Sequence, residues 1–174
     1  MFMTGIVVAG LMQGCATNVT KPSAAPKPAV VRFGTFSNVV LEPVVFAEPF
    51  TAAGPNQTAA KKINELLMDQ LARVFPDMNS AGKKVGNTLI IKPVIKDIRF
   101  VNKKARTYGG AMAGSSAILM EITYLEKETQ AVVARVEFYD YASAFAGNIS
   151  VGKSDIKMLS NIVTQIVNYS SANR

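Results

Sequence analysis

The side chains that most often do chemistry in proteins are scarce in this chain. Its 174 residues include no histidine and a single cysteine, Cys15. Histidine is the commonest general base and the commonest metal ligand, and one cysteine can form neither an internal disulfide nor a zinc cluster. We therefore expect no metal and no cofactor, which leaves the carboxylates as the candidates for catalysis.

Glu121 and Glu137 are the carboxylates best placed to act together. They lie in the middle of two strands of a predicted hairpin, so they could approach each other across it. Two carboxylates that face a cleft could cleave a glycosidic bond in cell-wall material. We favour the simpler interpretation, in which both are solvent-facing charges beside Arg135, and we predict that the protein is not an enzyme.

Cys15 follows a short apolar run, residues 5–12, which has the length of a signal-peptide core and not of a membrane-spanning helix. With Gly14 directly before the cysteine, residues 12–15 resemble the lipobox of bacterial lipoproteins. The resemblance implies a signal peptide over residues 1–14 and a lipid-modified Cys15, with palmitate among the acyl chains. Gln13 and the lack of a basic residue before it depart from that pattern, and the alternative is a buried free thiol.

Residues 15–30 are predicted to be the lipidated cysteine and a flexible tether. After Cys15 the segment is small and polar and contains three prolines, so it buries too little to fold. Two or more acyl chains anchor a protein stably, which makes the lipid bilayer a predicted partner. Ala16, where an aspartate would retain a lipoprotein at the inner membrane of enteric-type bacteria, favours the outer membrane with the domain facing the periplasm.

The chain is basic, with a net charge of +7. Its lysines and arginines are spread along the sequence in pairs at most and form no basic helix stripe. We interpret them as a solvated surface and expect no nucleic-acid partner, while weak attraction to an anionic membrane face is the alternative.

Residues 31–174 are predicted to form a single α+β domain. Pro43 indicates an edge position or a bulge, since proline cannot donate to a sheet ladder. In the hairpin, the more uniformly apolar set of alternating residues is expected to face inward. That set comprises Ile118, Met120, Ile122 and Tyr124 on the first strand and Val132, Ala134, Val136 and Phe138 on the second. The predicted strands cover residues 31–34, 38–46, 87–101, 116–126 and 131–142, and the predicted helices cover residues 59–75 and 154–170.

The element order is strand, helix, three strands and helix. It predicts a mostly antiparallel sheet of four to five strands with two helices packed on one face.

Residues 106–116 form the most unusual stretch, rich in glycine and serine. A phosphate loop would need a lysine where Ser115 stands. Gly110 and Gly114 have the spacing of a membrane-helix contact, which means little outside a long apolar helix. We favour a structural role, in which small residues allow close backbone approach, and the same property would also serve a partner groove.

Residues 94–169 resemble a family of uncharacterised bacterial envelope lipoproteins, classed as a domain of unknown function. The resemblance is carried by Ile-Lys-Asp-Ile-Arg-Phe at residues 95–100, by Arg106, and by Gly-Ala-Met-Ala-Gly-Ser-Ser at residues 110–116. It implies an envelope location and an α+β fold. The family has no established activity, so it implies no functional residue.

Two functions follow. The first is a non-enzymatic binding or assembly factor whose partner is another envelope protein or a second copy of this chain. The alternative is an oligomeric export or channel-associated component, by fold-level analogy with the curli-secretion lipoprotein. No pair of strands suited to a membrane stands out for that alternative. The candidate partner-binding residues are Arg106, Tyr108, Gly110, Gly114, Tyr139 and Tyr141.

Overall fold

The computed structural model describes residues 19–48, 54–80, 85–101, 115–142 and 153–174. Within those ranges no helix is both long enough and apolar enough to cross a membrane. The elements in chain order are a 3-10 helix (Phe33–Thr35), β1 (Asn38–Leu41), β2 (Val45–Phe46), α1 (Pro55–Val74), β3 (Thr88–Arg99), β4 (Ser116–Glu126), β5 (Val132–Ala142) and α2 (Lys153–Ala172).

The strands form one five-stranded mixed sheet, so the predicted α+β class is confirmed. β3, β4 and β5 are antiparallel neighbours, as the hairpin pattern predicts. β1 and β2 both pair with β3 in parallel and lie on its other side. The sheet is therefore mostly antiparallel, as predicted. The two short strands β1 and β2 are parallel to β3 because α1 carries the chain back across the sheet between β2 and β3.

Two prolines lie at the gap between β1 and β2. Pro43 lies between β1 and β2, at the sheet edge as predicted. Pro93 lies inside β3, and its backbone faces β1 and β2 because Ile91 and Ile95, two residues to either side, accept hydrogen bonds from that edge. The N–H that Pro93 lacks therefore falls opposite the gap in the edge strand.

The core lies between the inner face of the sheet and the two helices. Ile118, Met120, Ile122 and Tyr124 of β4 are all fully buried there, which confirms the predicted inward set of that strand. The buried side chains of α1 are Ala59, Ile63, Leu67, Leu71 and Val74, and those of α2 are Met158, Leu159, Ile162, Val163, Ile166, Tyr169 and Ser170.

The prediction of a strand at residues 31–34 is wrong. The chain forms a 3-10 helix instead, and the Phe33 side chain that it directs inward is fully buried. The Phe33 ring stacks on Tyr124, with centroids 4.5 Å apart and planes at 18°. In place of a ladder hydrogen bond, the Phe33 N–H donates to the Asn173 carbonyl oxygen at 2.7 Å.

On β5 the alternation predicted from the sequence fails at one point. A bulge against Tyr124 and Leu125 shifts the register, so Val132 is 48% exposed and Val133 is 5% exposed. Beyond the bulge, Val136 and Phe138 face the core as predicted.

Candidate functional site

The face of the sheet that points away from the helices carries most of the predicted site residues that the structure describes. Beyond the bulge, the side chains of β5 alternate, so its odd-numbered residues point to this outer face. On β4 the outer-facing residues alternate with the buried set. The candidate side chains on the outer face are Glu121, Arg135, Glu137, Tyr139 and Tyr141.

Tyr139 and Tyr141 form an aromatic pair at the end of β5. Their ring centroids are 6.2 Å apart and their planes are inclined by 28°. Tyr141 is 56% exposed, and Tyr139 is half-buried. Burial, followed by the nearby Tyr141 and Asp140, raises the pKa of the Tyr139 hydroxyl, so the Tyr139 ring is a neutral hydrogen-bonding group at physiological pH. The pair offers partly apolar rings with polar tips.

The residues that flank the glycine-rich segment meet beside this pair. Val101 donates its backbone N–H to the Ser116 hydroxyl at 3.0 Å, in a buried position. Ser116 lies directly opposite Ala142, the residue after Tyr141. The predicted site residues Arg106, Tyr108, Gly110 and Gly114 lie outside the described residues, as does Cys15.

Glu121 and Glu137 lie directly opposite each other on β4 and β5, as the hairpin predicts. The Glu121 carboxylate is held between two cations, 3.8 Å from the Arg135 guanidinium and 3.9 Å from the Lys96 ammonium. Glu121 is thus one member of an ion-pair network on the outer face. The arrangement agrees with the solvent-facing ion pair that the sequence favours.

Asp140 is a neighbour of the tyrosine pair that the sequence pattern did not single out. It lies between the two tyrosines but points to the opposite face, toward Asn161 and Lys157 of α2. Burial raises the pKa of its carboxyl group, while a hydrogen bond from Asn161 and the charge of Lys157 act in the other direction. Its buried Oδ2 atom has no hydrogen-bond partner among the described residues. Its even-numbered position was the signal in the sequence, because the even-numbered residues of β5 beyond the bulge point toward the helices.

Residues 22–30, which we call the N-terminal strap, form no helix or strand. The strap is nevertheless attached to the last turn of α2. The Tyr169 hydroxyl donates to the Lys27 carbonyl oxygen at 2.8 Å, and the Ala29 N–H donates to the Asn173 side-chain oxygen at 2.9 Å. Asn173 is only 9% exposed. The last residues of the predicted tether therefore contact the folded domain directly.

The strap also crosses the edge of the sheet. Lys27 binds Tyr169, whose ring packs against the core residue Phe138. Residues 22–27, however, line a groove on the outer face together with Glu121, Arg135, Val136 and Glu137. The groove has a volume of about 460 Å³. Because β5 is the edge strand, a segment that reaches both faces must pass around the β5 edge.

Metal binding receives no support from the part of the chain that the structure describes. No three of its histidine, cysteine, aspartate and glutamate side chains lie together so that they could hold a metal ion.

No family model and no curated protein matches the chain. Several solved structures have a similar chain path. A point-substituted PelC dodecamer from Paraburkholderia phytofirmans has a TM-score of 0.44 at 10% identity, with 80% of this chain and 91% of that chain covered. XCC0632 from Xanthomonas campestris, of the family DUF330, has a TM-score of 0.44 at 15% identity, with 86% and 95% covered. The lipoprotein GNA1162 from Neisseria meningitidis has a TM-score of 0.36 at 8% identity, with 76% and 99% covered. At this similarity, what those proteins do says nothing about this chain.

Proposed function

We propose that this protein is a membrane-anchored envelope lipoprotein that acts by binding and not by catalysis. The observation that carries the binding role is the exposed Tyr139–Tyr141 pair, two neighbouring rings presented on a paired strand of the sheet. Tyrosine is enriched at protein interfaces, because its ring supplies contact area at a low cost in conformational entropy and its hydroxyl binds polar groups.

The binding surface is proposed to include the glycine-rich segment. The contact between Val101 and Ser116 supports this extension, since it fixes both flanks of that segment beside Tyr141. Arg106 and Tyr108 would then add a cation and a third aromatic ring, and Gly110 and Gly114 would allow close backbone approach. The partner is another envelope protein or a second copy of this chain.

The anchor is proposed to be Cys15, lipidated after removal of residues 1–14, in the outer membrane with the domain in the periplasm. The apolar run before Cys15 and the proline-containing segment after it support this proposal. Fully extended, the chain from Cys15 to Lys27 spans at most about 40 Å. The domain would therefore meet partners that lie close to the membrane surface.

Site-specific photocrosslinking in cells tests the binding surface. A photoreactive residue at position 141 is expected to give one discrete adduct, and the same residue at Val132 is expected to give none. Val132 is the matched control, because it is similarly exposed and lies at the other end of the same strand. Tyr139→Ala should weaken the adduct at least tenfold. Equal adducts from both positions would refute the proposed surface.

Mass spectrometry of the mature N-terminus tests the anchor. We expect an acylated cysteine as the first residue, and a Cys15→Ser variant that is neither acylated nor retained in the membrane fraction. An unmodified peptide that spans Gly14 and Cys15 would refute both cleavage and lipidation.

A further inference from the structure

The two edges of the sheet differ in how their backbone groups are satisfied. At the β1 edge, Asn79 closes the ladder, since its N–H donates to the Val39 carbonyl oxygen at 3.0 Å and its side-chain oxygen accepts from the Leu41 N–H at 2.9 Å. Between β1 and β2, the Asn64 side-chain oxygen accepts from the Val44 N–H at 3.4 Å. Unpaired strand edges are templates for pairing with other chains, and side-chain plugs of this kind prevent it.

Among the described residues, the β5 edge is closed at two points. The Val133 carbonyl oxygen accepts from the Val30 N–H at 3.1 Å, and the Tyr139 carbonyl oxygen accepts from the Gln165 side chain at 3.1 Å. Backbone groups of a strand alternate in direction, so the two odd-numbered residues between these points also face the edge. These two residues are Arg135 and Glu137, and their backbone N–H and C=O groups bond to no other described residue.

The N-terminal strap covers this open stretch without bonding to it. It passes around the β5 edge where Arg135 and Glu137 line the groove, and it is held at Ala29 and Lys27 by the end of α2. Asn173 is the centre of that attachment, because its backbone carbonyl oxygen also accepts from the Phe33 N–H at 2.7 Å. Loss of the attachment would expose the edge and would also free the Val133 carbonyl oxygen.

The exposed stretch is complementary to itself. In an antiparallel pair of β5 strands with the two-fold axis at Val136, Arg135 of one copy lies opposite Glu137 of the other, and the same pair forms again across the axis. Both residues face the edge, so each pair exchanges two backbone hydrogen bonds, and their opposite charges lie side by side on the outer face. A closed two-fold contact of this kind ends at a dimer.

We propose that the β5 edge around Arg135 and Glu137 is a self-pairing surface that the N-terminal strap keeps covered, and that release of the strap lets two copies pair through it. This surface is the backbone edge of β5, whereas the tyrosine pair consists of side chains on the outer face of the same strand. In the lipid-anchored protein the strap directly follows the anchor, so attachment to the membrane and access to the edge involve the same segment.

Asn173→Ala tests the attachment. Loss of one hydrogen bond of this kind raises the released fraction about fivefold. Since both copies must release, the dissociation constant of the dimer falls about 25-fold. Size-exclusion chromatography with light scattering on the mature full-length chain in detergent should therefore show dimer for Asn173→Ala at concentrations where the unsubstituted protein is monomeric. Asn168→Ala is the matched control, because Asn168 is an exposed asparagine of α2, and this substitution should change nothing.

Ala29→Pro is the second variant, because it removes the donor of the same hydrogen bond without touching α2. Hydrogen exchange at the Val30 amide should accelerate about fivefold in both variants, which reports release directly. If exchange accelerates and both variants stay monomeric, the self-pairing proposal is overturned. If exchange does not accelerate in either folded variant, the strap is not the cover and the proposal is equally overturned.

Charge reversal tests the pairing surface itself. In the Asn173→Ala chain, Glu137→Lys places like charges opposite each other and should abolish the dimer, whereas adding Arg135→Glu restores opposite charges and should recover it. A dimer that is indifferent to Glu137→Lys would show that the copies associate elsewhere and would overturn the proposal.

Discussion

Replacement of Phe33 by alanine tests whether the segment before β1 belongs to the folded core. Phe33 is fully buried and stacks on Tyr124 at 4.5 Å, and its ring also lies 6.2 Å from Tyr169. A buried phenylalanine removes about 200 Å² from water, which at ~25 cal/mol per Å² gives an upper limit of about 5 kcal/mol. Measured truncations of this kind cost about 3–5 kcal/mol, and we expect Phe33→Ala to fall in that range.

Two further substitutions separate the contributions. Phe33→Leu keeps most of the buried area and loses the ring contact, so it should cost about 1–2 kcal/mol. Val31→Ala, two residues earlier and 43% exposed, is the control and should cost less than about 0.5 kcal/mol.

Urea unfolding followed by circular dichroism gives these free energies directly, and the melting temperature of Phe33→Ala should fall by roughly 10 °C. If Phe33→Ala costs less than about 1 kcal/mol, the ring is not packed as described. The attachment of the strap to α2 would then lose its support as well, because Phe33 and Ala29 both bond to Asn173.

Two other perturbations probe the backbone and the buried charge. Gly86 has a φ of +135°, and the Cβ added by Gly86→Ala would lie 2.9 Å from the Ser37 Cβ. We expect this substitution to lower the free energy of unfolding, measured in urea, by about 3 kcal/mol. Gly54 has a φ of +52° and open space around it, so Gly54→Ala should lower the same free energy by only about 1–2 kcal/mol. Burial raises the folded-state pKa of Asp140 above its unfolded value, so the cost of its charge is present above the folded pKa and is lost as the pH falls through it. Asp140→Asn should therefore stabilise the protein at pH 7 and have little effect well below the unfolded pKa of about 3.9. A stabilisation that is the same at both pH values would refute this account. Asp69→Asn, at an exposed position, serves as the control.

The sequence by itself determined the features that depend on local periodicity and on residue type. The two helices show apolar positions at three- and four-residue spacing, and the structure buries nearly the same side chains. The hairpin of β4 and β5 was predictable because alternation and a polar turn are both local signals. The absence of histidine, and of any cysteine besides Cys15, is likewise a property of the sequence alone.

Tertiary structure alone decided which distant segments meet. No local sequence pattern predicts that β1 and β2 pair in parallel with β3, because that pairing depends on the path of the chain through α1. A single bulge exchanges the environments of Val132 and Val133, and bulges arise from contacts between strands and not from the pattern of one strand.

The N-terminal strap shows most clearly that the sequence alone does not determine which distant segments meet. Its small, proline-containing sequence correctly excludes helix and strand, but a low content of apolar residues does not show whether a segment is held in place. The strap is fixed through backbone groups, which every sequence possesses. The donor and the acceptor that hold it lie more than a hundred residues away, in α2 and directly after it. Hydrogen bonds to the backbone of the strap place little requirement on its residue types, so only the folded chain reveals them.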